Sequence, residues 1–267
     1  MTTGVLAVHA SYPDLVGKVV VVTGGSKGIG RAISEAFVVN HARTYVIARS
    51  DETALDSSIA ALRSHARQPV AGHLADLTDS EEVNRVFKAI RMEAGRIDVL
   101  VNNAGGFNAM TSLTDISDVE WTNMIDKNVT SAFYCCRACL PTMVAQGQGC
   151  IVSIGSEAGR NPPWITGAHY ATAKAALSGM TRHIAKEYGP FGIRANIIVP
   201  GGTVTDRYVR LGLTSPEALA RAAIDIPLGR HSSPSEQASA VLFLASSAAS
   251  YINGVALTVN GGRNMRE

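Results

Sequence analysis

No apolar stretch in this sequence is long enough to cross a bilayer, and no run of five like charges occurs. A formal net charge of +2 provides neither the basic surface of a nucleic-acid binder nor that of a membrane-surface protein, so we expect neither partner. Residues 1–17 lack the cationic start, apolar core and cleavage site of a secretion signal. They are interpreted as a short, mobile extension before a single domain over residues 18–267.

Cysteine is scarce, with four in the chain: Cys135, Cys136, Cys139 and Cys150. Cys136 and Cys139 have C-x-x-C spacing, but no histidine lies close to them in sequence and no second such pair follows. We therefore expect no metal site. The cysteines are interpreted as reduced, buried, small apolar residues, which fits a cytoplasmic location.

Charged residues make up 17% of the 267 residues and apolar residues 46%, enough for a large core. Short apolar runs typical of buried strands alternate with helical patterns, and neither an internal repeat nor a linker interrupts them. This alternation predicts an α/β fold: a doubly wound, Rossmann-like parallel sheet with helices on both faces. The seven predicted strands cover residues 18–23, 44–48, 70–74, 98–101, 149–154, 193–199 and 255–259; the main predicted helices cover 31–40, 51–67, 80–93, 118–145, 168–188 and 235–246.

A glycine-rich turn directly follows the first predicted strand and opens the first predicted helix. Such a turn lets the backbone approach a pyrophosphate, and the helix N-terminus then presents free N–H groups to the phosphates. A Walker loop is excluded because no Gly-Lys-Ser/Thr closes the turn. The sequence therefore predicts a dinucleotide site that includes Gly24, Ser26, Lys27, Gly28, Ile29 and Gly30.

Arg49 and Ser50 lie just past the second predicted strand, where dinucleotide folds face the adenosine ribose. An acidic residue there suits a 2′-hydroxyl, whereas arginine suits a 2′-phosphate. Together with Lys27, these residues favour NADP(H) over NAD(H). Asp51 and Glu52 follow closely and weaken this inference, and a solvated loop role for Arg49 is the alternative.

Further polar or glycine-containing segments end the third and fourth predicted strands. Asp76 follows one, and Asn103, Ala104 and Gly105 follow the other. Ligands on doubly wound sheets bind at the carboxyl ends of strands. The convergence of these loops on one sheet edge predicts that they share a ligand site.

Tyr170 and Lys174 are four residues apart in an alanine-rich helical segment. Residues at this spacing share a helix face, so the phenol and the ammonium are expected to point the same way. A positive charge nearby favours the ionised phenol and should lower the pKa of Tyr170. Such a phenol can exchange a proton near neutral pH. Taken alone, most Tyr and Lys pairs at this spacing are two solvated helix residues, so the interpretation depends on the rest of the chain.

The chain resembles the short-chain dehydrogenase/reductases from about residue 18 to 262. The resemblance is carried by several motifs in the family's order: Thr23-Gly24-x-x-x-Gly28-x-Gly30, Asp76-Leu77, Asn102-Asn103-Ala104-Gly105, Asn128, Ser156, Tyr170-x-x-x-Lys174 and Pro200-Gly201. It implies a hydride transfer between a nicotinamide and a carbonyl carbon, with Tyr170 exchanging the proton.

The resemblance also implies individual roles. Ser156 would hydrogen-bond the substrate oxygen, Lys174 the nicotinamide ribose, and Asn128 would help to anchor a water-linked proton relay. Ser153 is the competing serine, but it lies inside the predicted strand. Further coenzyme contacts are implied for Leu77, Pro200, Gly201, Thr203 and Thr205.

The substrate pocket is expected between the loop after Gly105, the segment before Tyr170 and residues 202–228. This lining suits an apolar or aromatic ketone or an acyl chain, and ordinary packing of a lid is the alternative role for each residue. The predicted residues are Phe107, Met110, Trp164, Ile165, His169, Tyr208, Leu211 and Leu213. An anionic handle could meet Arg160, Arg207 or Arg210, although solvated roles are the simpler interpretation.

The resulting hypothesis is an NADPH-dependent reductase of an apolar ketone or 3-oxoacyl thioester. Two alternatives stay open: an NAD(P)-dependent secondary alcohol dehydrogenase working oxidatively, and a dinucleotide-binding regulator without chemistry. Decarboxylating, epimerising and enoyl-reducing variants also stay open. The resemblance implies a homotetramer, or a dimer, joined through residues 118–145, 168–188 and the region from 235 onward.

Overall fold

A computed structural model describes residues 10–107, 110–162, 166–206, 208 and 215–265. Seven strands form one sheet in the order β3-β2-β1-β4-β5-β6-β7, and every neighbouring pair is parallel. The prediction of a doubly wound parallel sheet is thereby confirmed. The strands are β1 (Val19–Thr23), β2 (Arg43–Ala48), β3 (Val70–Leu74), β4 (Val99–Asn102), β5 (Gly149–Ile154), β6 (Ile193–Pro200) and β7 (Ala256–Val259).

Helices alternate with the strands, as the sequence pattern predicts. Several begin with a side-chain cap: Asp79 accepts hydrogen bonds from the backbone N–H groups of Glu81 and Glu82, and Ser233 forms a capping box with Glu236. In the described residues the helices are α1 (Gly28–Val39), α2 (Glu52–Arg63), α3 (Ser80–Ala94), α4 (Asp118–Ile125), α5 (Ser131–Gln146), α6 (Ala168–Tyr188), α7 (Pro216–Ala222) and α8 (Pro234–Ala245).

The central strands are buried on both faces. Val19 and Val21 of β1 join a core cluster with α3 and α5, whereas Val20 and Val22 join a second cluster with α1 and α8. This division follows from the two-residue repeat of a strand, which sends successive side chains to opposite faces. Continuous apolar runs are therefore what a doubly covered parallel sheet requires.

The segment 118–145 differs from the single long helix that its sequence predicts. A π-helical turn, Asp126–Thr130, separates α4 from α5. Within it, the Asn128 amide nitrogen donates to the backbone oxygen of Met124, 3.0 Å away. This side chain competes for a carbonyl four residues back and favours a local departure from α-helical geometry.

Residues 10–17 pack against the domain. Leu15 is buried, the Tyr12 backbone N–H donates to the Asn40 side chain at 2.7 Å, and an Asp14 carboxylate oxygen accepts from the backbone N–H of Ser247 at 2.7 Å. These contacts fix a part of the extension that the sequence alone suggested to be mobile; residues 1–9 lie outside the described ranges.

The four cysteines are buried and unpaired by disulfides, as the sequence interpretation expects. Burial raises the pKa of the Cys136 thiol to about 12. A thiol of such high pKa is inert, so these residues act as small core side chains. None of the described helices is both long and apolar enough to pass through a membrane.

Candidate active site

The strand order reverses direction between β1 and β4, and the chain leaves these neighbours toward opposite sides of the sheet. A crevice forms at such a point beyond the carboxyl ends of the strands. Here it holds a cavity of about 380 Å³. A second cavity, of about 180 Å³, shares Gly24, Ala104 and Gly105 with the first.

The glycine turn after β1 forms one wall of the larger cavity. Gly24 and Gly28 have φ values of +62° and +54°, a region that side chains disfavour. A Cβ on Gly30 would lie 2.2 Å from the backbone oxygen of Gly24 and 2.3 Å from the Asn103 amide nitrogen. Glycine at 30 therefore lets α1 begin directly against the turn. The first residues of α1 line the cavity, and the N–H groups at the start of a helix are available to a ligand there.

Thr23 and Asn103 tie the turn after β1 to the loop after β4. The Thr23 hydroxyl oxygen accepts from the backbone N–H groups of Asn103 and Ala104, each at 3.0 Å. The Asn103 amide donates to the backbone oxygens of Thr23 and Gly24 at 2.9 and 3.0 Å. Asn103 thus lines the cavity while fixing both walls of it.

The second cavity lies at the end of β2, where the sequence places the adenosine ribose. Arg49, Asp76 and Leu77 line it, and the Arg49 Nε lies 3.1 Å from an Asp76 carboxylate oxygen. Lys27 lines the larger cavity, and its Nζ lies 2.6 Å from an Asp51 oxygen. Both predicted phosphate-binding cations are thus held at this edge by exposed ion pairs. Ser26 and Ser50, two further residues predicted to bind the coenzyme, line neither of these two cavities.

Tyr170 and Lys174 lie at the base of the larger cavity, on the same buried face of α6. The Lys174 Nζ lies 5.7 Å from the centre of the Tyr170 ring and donates to the backbone oxygen of Ile154 at 3.0 Å. The Phe107 ring packs 4.9 Å from the Tyr170 ring, centre to centre. The prediction that phenol and ammonium share one helix face is confirmed by this geometry.

Burial has an electrostatic cost at Lys174. Burial, with a smaller contribution from the positive charge of Lys127, lowers the pKa of this amine from its usual 10.5 to about 8. An unfolded chain would keep the proton up to about pH 10.5. Between about pH 8 and 10.5 the unfolded state therefore binds more protons, and stability rises with pH in that window.

Replacement of Lys174 by Met is expected to raise the free energy of unfolding at pH 7, by about 1–3 kcal/mol, because it removes a buried charge. It should also abolish the rise in stability between pH 8 and 10.5. Chemical unfolding at several pH values measures both effects. Lys186→Met, an exposed lysine in the same helix, is the matched control and should retain the slope. An unchanged slope in Lys174→Met would contradict the assignment.

The two candidate serines differ in placement. Ser156 follows β5 and lines the cavity, whereas Ser153 is buried inside β5. Asn128 is fully buried and does not line either described cavity. Its side-chain oxygen accepts from the Gly106 N–H at 2.8 Å and its nitrogen donates to the Gly106 oxygen at 3.1 Å. Asn128 therefore holds the loop after β4 from behind.

The predicted substrate residues are only partly brought together. Phe107 and Tyr208 line the cavity, whereas His169 is buried behind it against Gly167 and Met110 is exposed. Trp164 lies outside the described residues, as do Ile165, Arg207, Arg210, Leu211 and Leu213. The predicted coenzyme residues at and beyond the end of β6 line the cavity: Pro200, Gly201, Thr203 and Thr205.

The cavity contains polar residues that the sequence reasoning missed. Glu157 and Arg263 line it and pair with each other, Arg263 Nη1 to Glu157 Oε1 at 3.1 Å. The sequence feature that could have indicated Arg263 is the Gly261-Gly262 pair just before it, since two glycines after the last strand mark a sharp turn. Thr166 and Asp206 also line the cavity.

Comparisons with known proteins agree with this geometry. The sequence model of a family described as short chain dehydrogenase matches residues 18–214. Over 249 residues the chain is 37% identical to 3-oxoacyl-(acyl-carrier-protein) reductase FabG of Salmonella typhimurium, covering 93% of this chain and 98% of that protein. It is 36% identical over 247 residues to 3alpha-hydroxysteroid dehydrogenase of Mediterraneibacter gnavus, covering 91% and 96%.

A solved structure is also similar. It is the structure of a putative NAD(P)-dependent gluconate 5-dehydrogenase from Beutenbergia cavernae, with NADP bound at low occupancy. The TM-score is 0.85 at 32% identity, over 94% of this chain and 98% of that one. The named relatives thus share the fold across nearly their whole length while differing in the substrates that their names give.

Proposed function

The chain belongs to the short-chain dehydrogenase/reductase family of oxidoreductases, and from that premise we propose that it reduces a ketone carbonyl with NADPH, with Tyr170 as the proton donor. One observation carries the proposal: Ser156, Tyr170 and Lys174 line the same cavity as the glycine turn after β1. A proton donor, a hydrogen-bonding hydroxyl and a phosphate-binding turn in one crevice are what this reaction needs.

The residues fit a dinucleotide. The glycine turn and the start of α1 suit a pyrophosphate, because Gly28, Ile29 and Gly30 line the cavity at a helix N-terminus, where backbone N–H groups are available to bind phosphate. The cavity with Arg49, Asp76 and Leu77 suits the adenosine end. Lys174, Thr203 and Thr205, at the other end, suit the ribose and carboxamide of the nicotinamide.

When bound, the nicotinamide supplies the hydride. Ser156 then hydrogen-bonds the carbonyl oxygen and aligns the carbonyl, and Tyr170 donates its phenolic proton to that oxygen as negative charge develops on it. The Lys174 ammonium stabilises the negative charge left on the phenolate oxygen. In the oxidising direction the same phenolate accepts the proton. Asn128 positions the loop after β4 and helps to anchor a water-linked proton relay.

Selection of NADP(H) is proposed from the cations at the end of β2. Arg49 stands where a carboxylate would accept from a 2′-hydroxyl, and Lys27 lies on the adjoining turn. Their partners, Asp76 and Asp51, are joined to them by exposed ion pairs, which contribute little to stability. A dianionic phosphate can therefore displace these pairs at low cost. The relative with bound NADP supports the same choice.

Replacement of Arg49 by Asp is expected to lower the preference for NADPH over NADH by about 10- to 100-fold, because a charge-assisted hydrogen bond is lost and a repulsive charge gained. The ratio of kcat/KM for the two coenzymes measures the effect. Arg67→Asp is the matched control, since Arg67 is exposed and lies before the amino-terminal end of β3, whereas Arg49 follows the carboxyl end of β2. An unchanged ratio in Arg49→Asp would refute the assignment of this loop.

The activity itself is tested with a panel of ketones, 3-oxoacyl thioesters and secondary alcohols, each offered with both coenzymes. The proposal expects NADPH consumption with at least one ketone or thioester. Faster alcohol oxidation with NAD would instead favour the oxidative alternative. Turnover of none of these compounds with either coenzyme would favour a dinucleotide-binding regulator.

A homotetramer is proposed as the assembly. Exposed apolar side chains on the expected interface elements support it: Val119 and Trp121 on α4 and Phe133 on α5. A cytoplasmic location is proposed from the unpaired, buried cysteines.

A further inference from the structure

The end of the cavity beyond Ser156 is polar, in contrast to the apolar pocket that the sequence suggests. Glu157 is 6% exposed and follows Ser156 directly, and its two carboxylate oxygens are held separately. Oε1 accepts from Arg263 at 3.1 Å and Oε2 from the Asn264 side chain at 3.3 Å. Glu157, Arg263 and Tyr208 line the cavity, whereas Asn264 does not.

The chain delivers Arg263 to this place by a specific turn. After β7 ends, Gly261 and Gly262 adopt φ values of +67° and +86°. A Cβ on Gly261 would lie 2.7 Å from a methyl carbon of Ile226, so the turn also needs the missing side chain for space. The backbone thereby reverses direction after β7 and places the Arg263 guanidinium beside Glu157, just past the carboxyl end of β5.

Charge and hydrogen-bonding capacity define what this subsite can bind. In the cavity lining the charges of Glu157 and Arg263 balance each other. Asp225, whose carboxylate lies 3.9 Å from the Arg263 Nη2, is largely exposed and does not line the cavity, so a strongly charged ligand is disfavoured. A carboxylate has about four acceptor sites and a guanidinium five donors, so the contacts named above leave capacity on both groups. Burial raises the pKa of Tyr208, which keeps its hydroxyl protonated as a donor and acceptor.

An apolar chain would suit this end of the cavity poorly. Methylene groups placed against Glu157 and Arg263 would remove water from both charges without replacing its hydrogen bonds. Hydroxyl groups donate to a carboxylate and accept from a guanidinium at once. Because Glu157 and Arg263 line the same cavity of about 380 Å³ as Ser156, a small substrate could place its carbonyl at Ser156 and its hydroxyl groups at this pair.

We propose that Glu157, Arg263 and Tyr208 form a specificity subsite for a hydroxylated ketone, one that carries neutral hydroxyl groups on the carbons beside its carbonyl. The inference rests on the proposed ketone reductase function and narrows its substrate class away from apolar ketones and long acyl chains.

The test compares matched ketones with the full-length chain and NADPH. Hydroxyacetone and 2-butanone differ by one hydroxyl group in place of one methyl group, and dihydroxyacetone and 3-pentanone extend the comparison to two such replacements. The readout is the ratio of kcat/KM for the hydroxylated over the apolar member of each pair. A hydroxyl also activates the carbonyl electronically, so the decisive quantity is the change of this ratio in variants.

In Arg263→Met the ratio is expected to fall at least about tenfold, the effect of one lost charge-assisted hydrogen bond. The double variant E157V/R263M removes both charges, avoids a buried unpaired carboxylate, and should show the same fall with 2-butanone still turned over. Arg230→Met is the matched control, since Arg230 forms an exposed pair with Glu236 away from the cavity lining. It should leave the ratio unchanged.

Two results would overturn the subsite: an unchanged ratio in both Arg263 variants, or a wild-type preference for 2-butanone or an acetoacetyl thioester over hydroxyacetone. In either case NADPH-dependent turnover would remain, and the proposed function would stand. Failure of every ketone and thioester with both coenzymes would overturn the function together with the subsite.

Discussion

Replacement of Tyr170 by Phe is expected to lower the turnover number by about 100- to 10,000-fold, the range that general acid catalysis contributes. The reason is chemical, because phenylalanine keeps the ring contact with Phe107 but offers no proton to a developing alkoxide. NADPH should still bind with nearly its normal dissociation constant, since the glycine turn and the adenosine end stay intact. Steady-state kinetics and a coenzyme titration measure the two quantities separately.

Tyr188→Phe is the matched control for this variant. Tyr188 is the last residue of the same helix α6 and does not line the cavity, so removal of its hydroxyl should leave turnover unchanged. Normal turnover in Tyr170→Phe would contradict the proposed mechanism. A loss of both turnover and NADPH binding would mean that the substitution had altered the fold of the crevice, which unfolding midpoints would reveal.

Much of the framework behind this prediction can be read from the sequence. The β-branched runs have one plausible place, a sheet covered on both faces, and the glycine turn after the first of them fixes where a ligand meets that sheet. The spacing of Tyr170 and Lys174 is sufficient to place them on one helix face. Ser156 could be preferred over Ser153 because a residue beyond the end of a strand can reach a crevice and one inside it cannot.

What the sequence could not supply depends on distant parts of the chain. The pairing of Glu157 with Arg263 joins residues more than a hundred positions apart, and no local pattern reports it. His169 is a second example, since its position in the sequence suggests a pocket residue, but the folded chain buries it beside Gly167 and outside the cavity lining. The π-helical turn at Asn128 likewise depends on a tertiary bond to Gly106 and on one local side-chain bond.

Replacement of Gly30 by Ala is expected to destabilise the fold by about 1–3 kcal/mol and to weaken NADPH binding strongly. The added Cβ would lie 2.2 Å from the Gly24 backbone oxygen, and backbone at that distance has to move. The backbone oxygen of Gly24 that would have to move is also the acceptor of a hydrogen bond from Asn103, in the loop after β4. The glycine turn and this loop, which form the two walls of the crevice, would therefore shift together. Thermal unfolding and coenzyme titration measure the two effects.

Replacement of Gly179 by Ala should change the free energy of unfolding in the opposite direction. Gly179 lies inside α6, where an added Cβ would meet no described heavy atom within 4 Å apart from its chain neighbours and the nearby backbone of its own helix. Alanine there gains helix propensity and lowers the entropy of the unfolded chain. The variant should be stabilised by about 0.4–1 kcal/mol and bind NADPH normally. Equal effects of the two substitutions would show that glycine at 30 serves only backbone flexibility. Opposite effects would assign it to the close approach of α1 to the turn, on which the phosphate site depends.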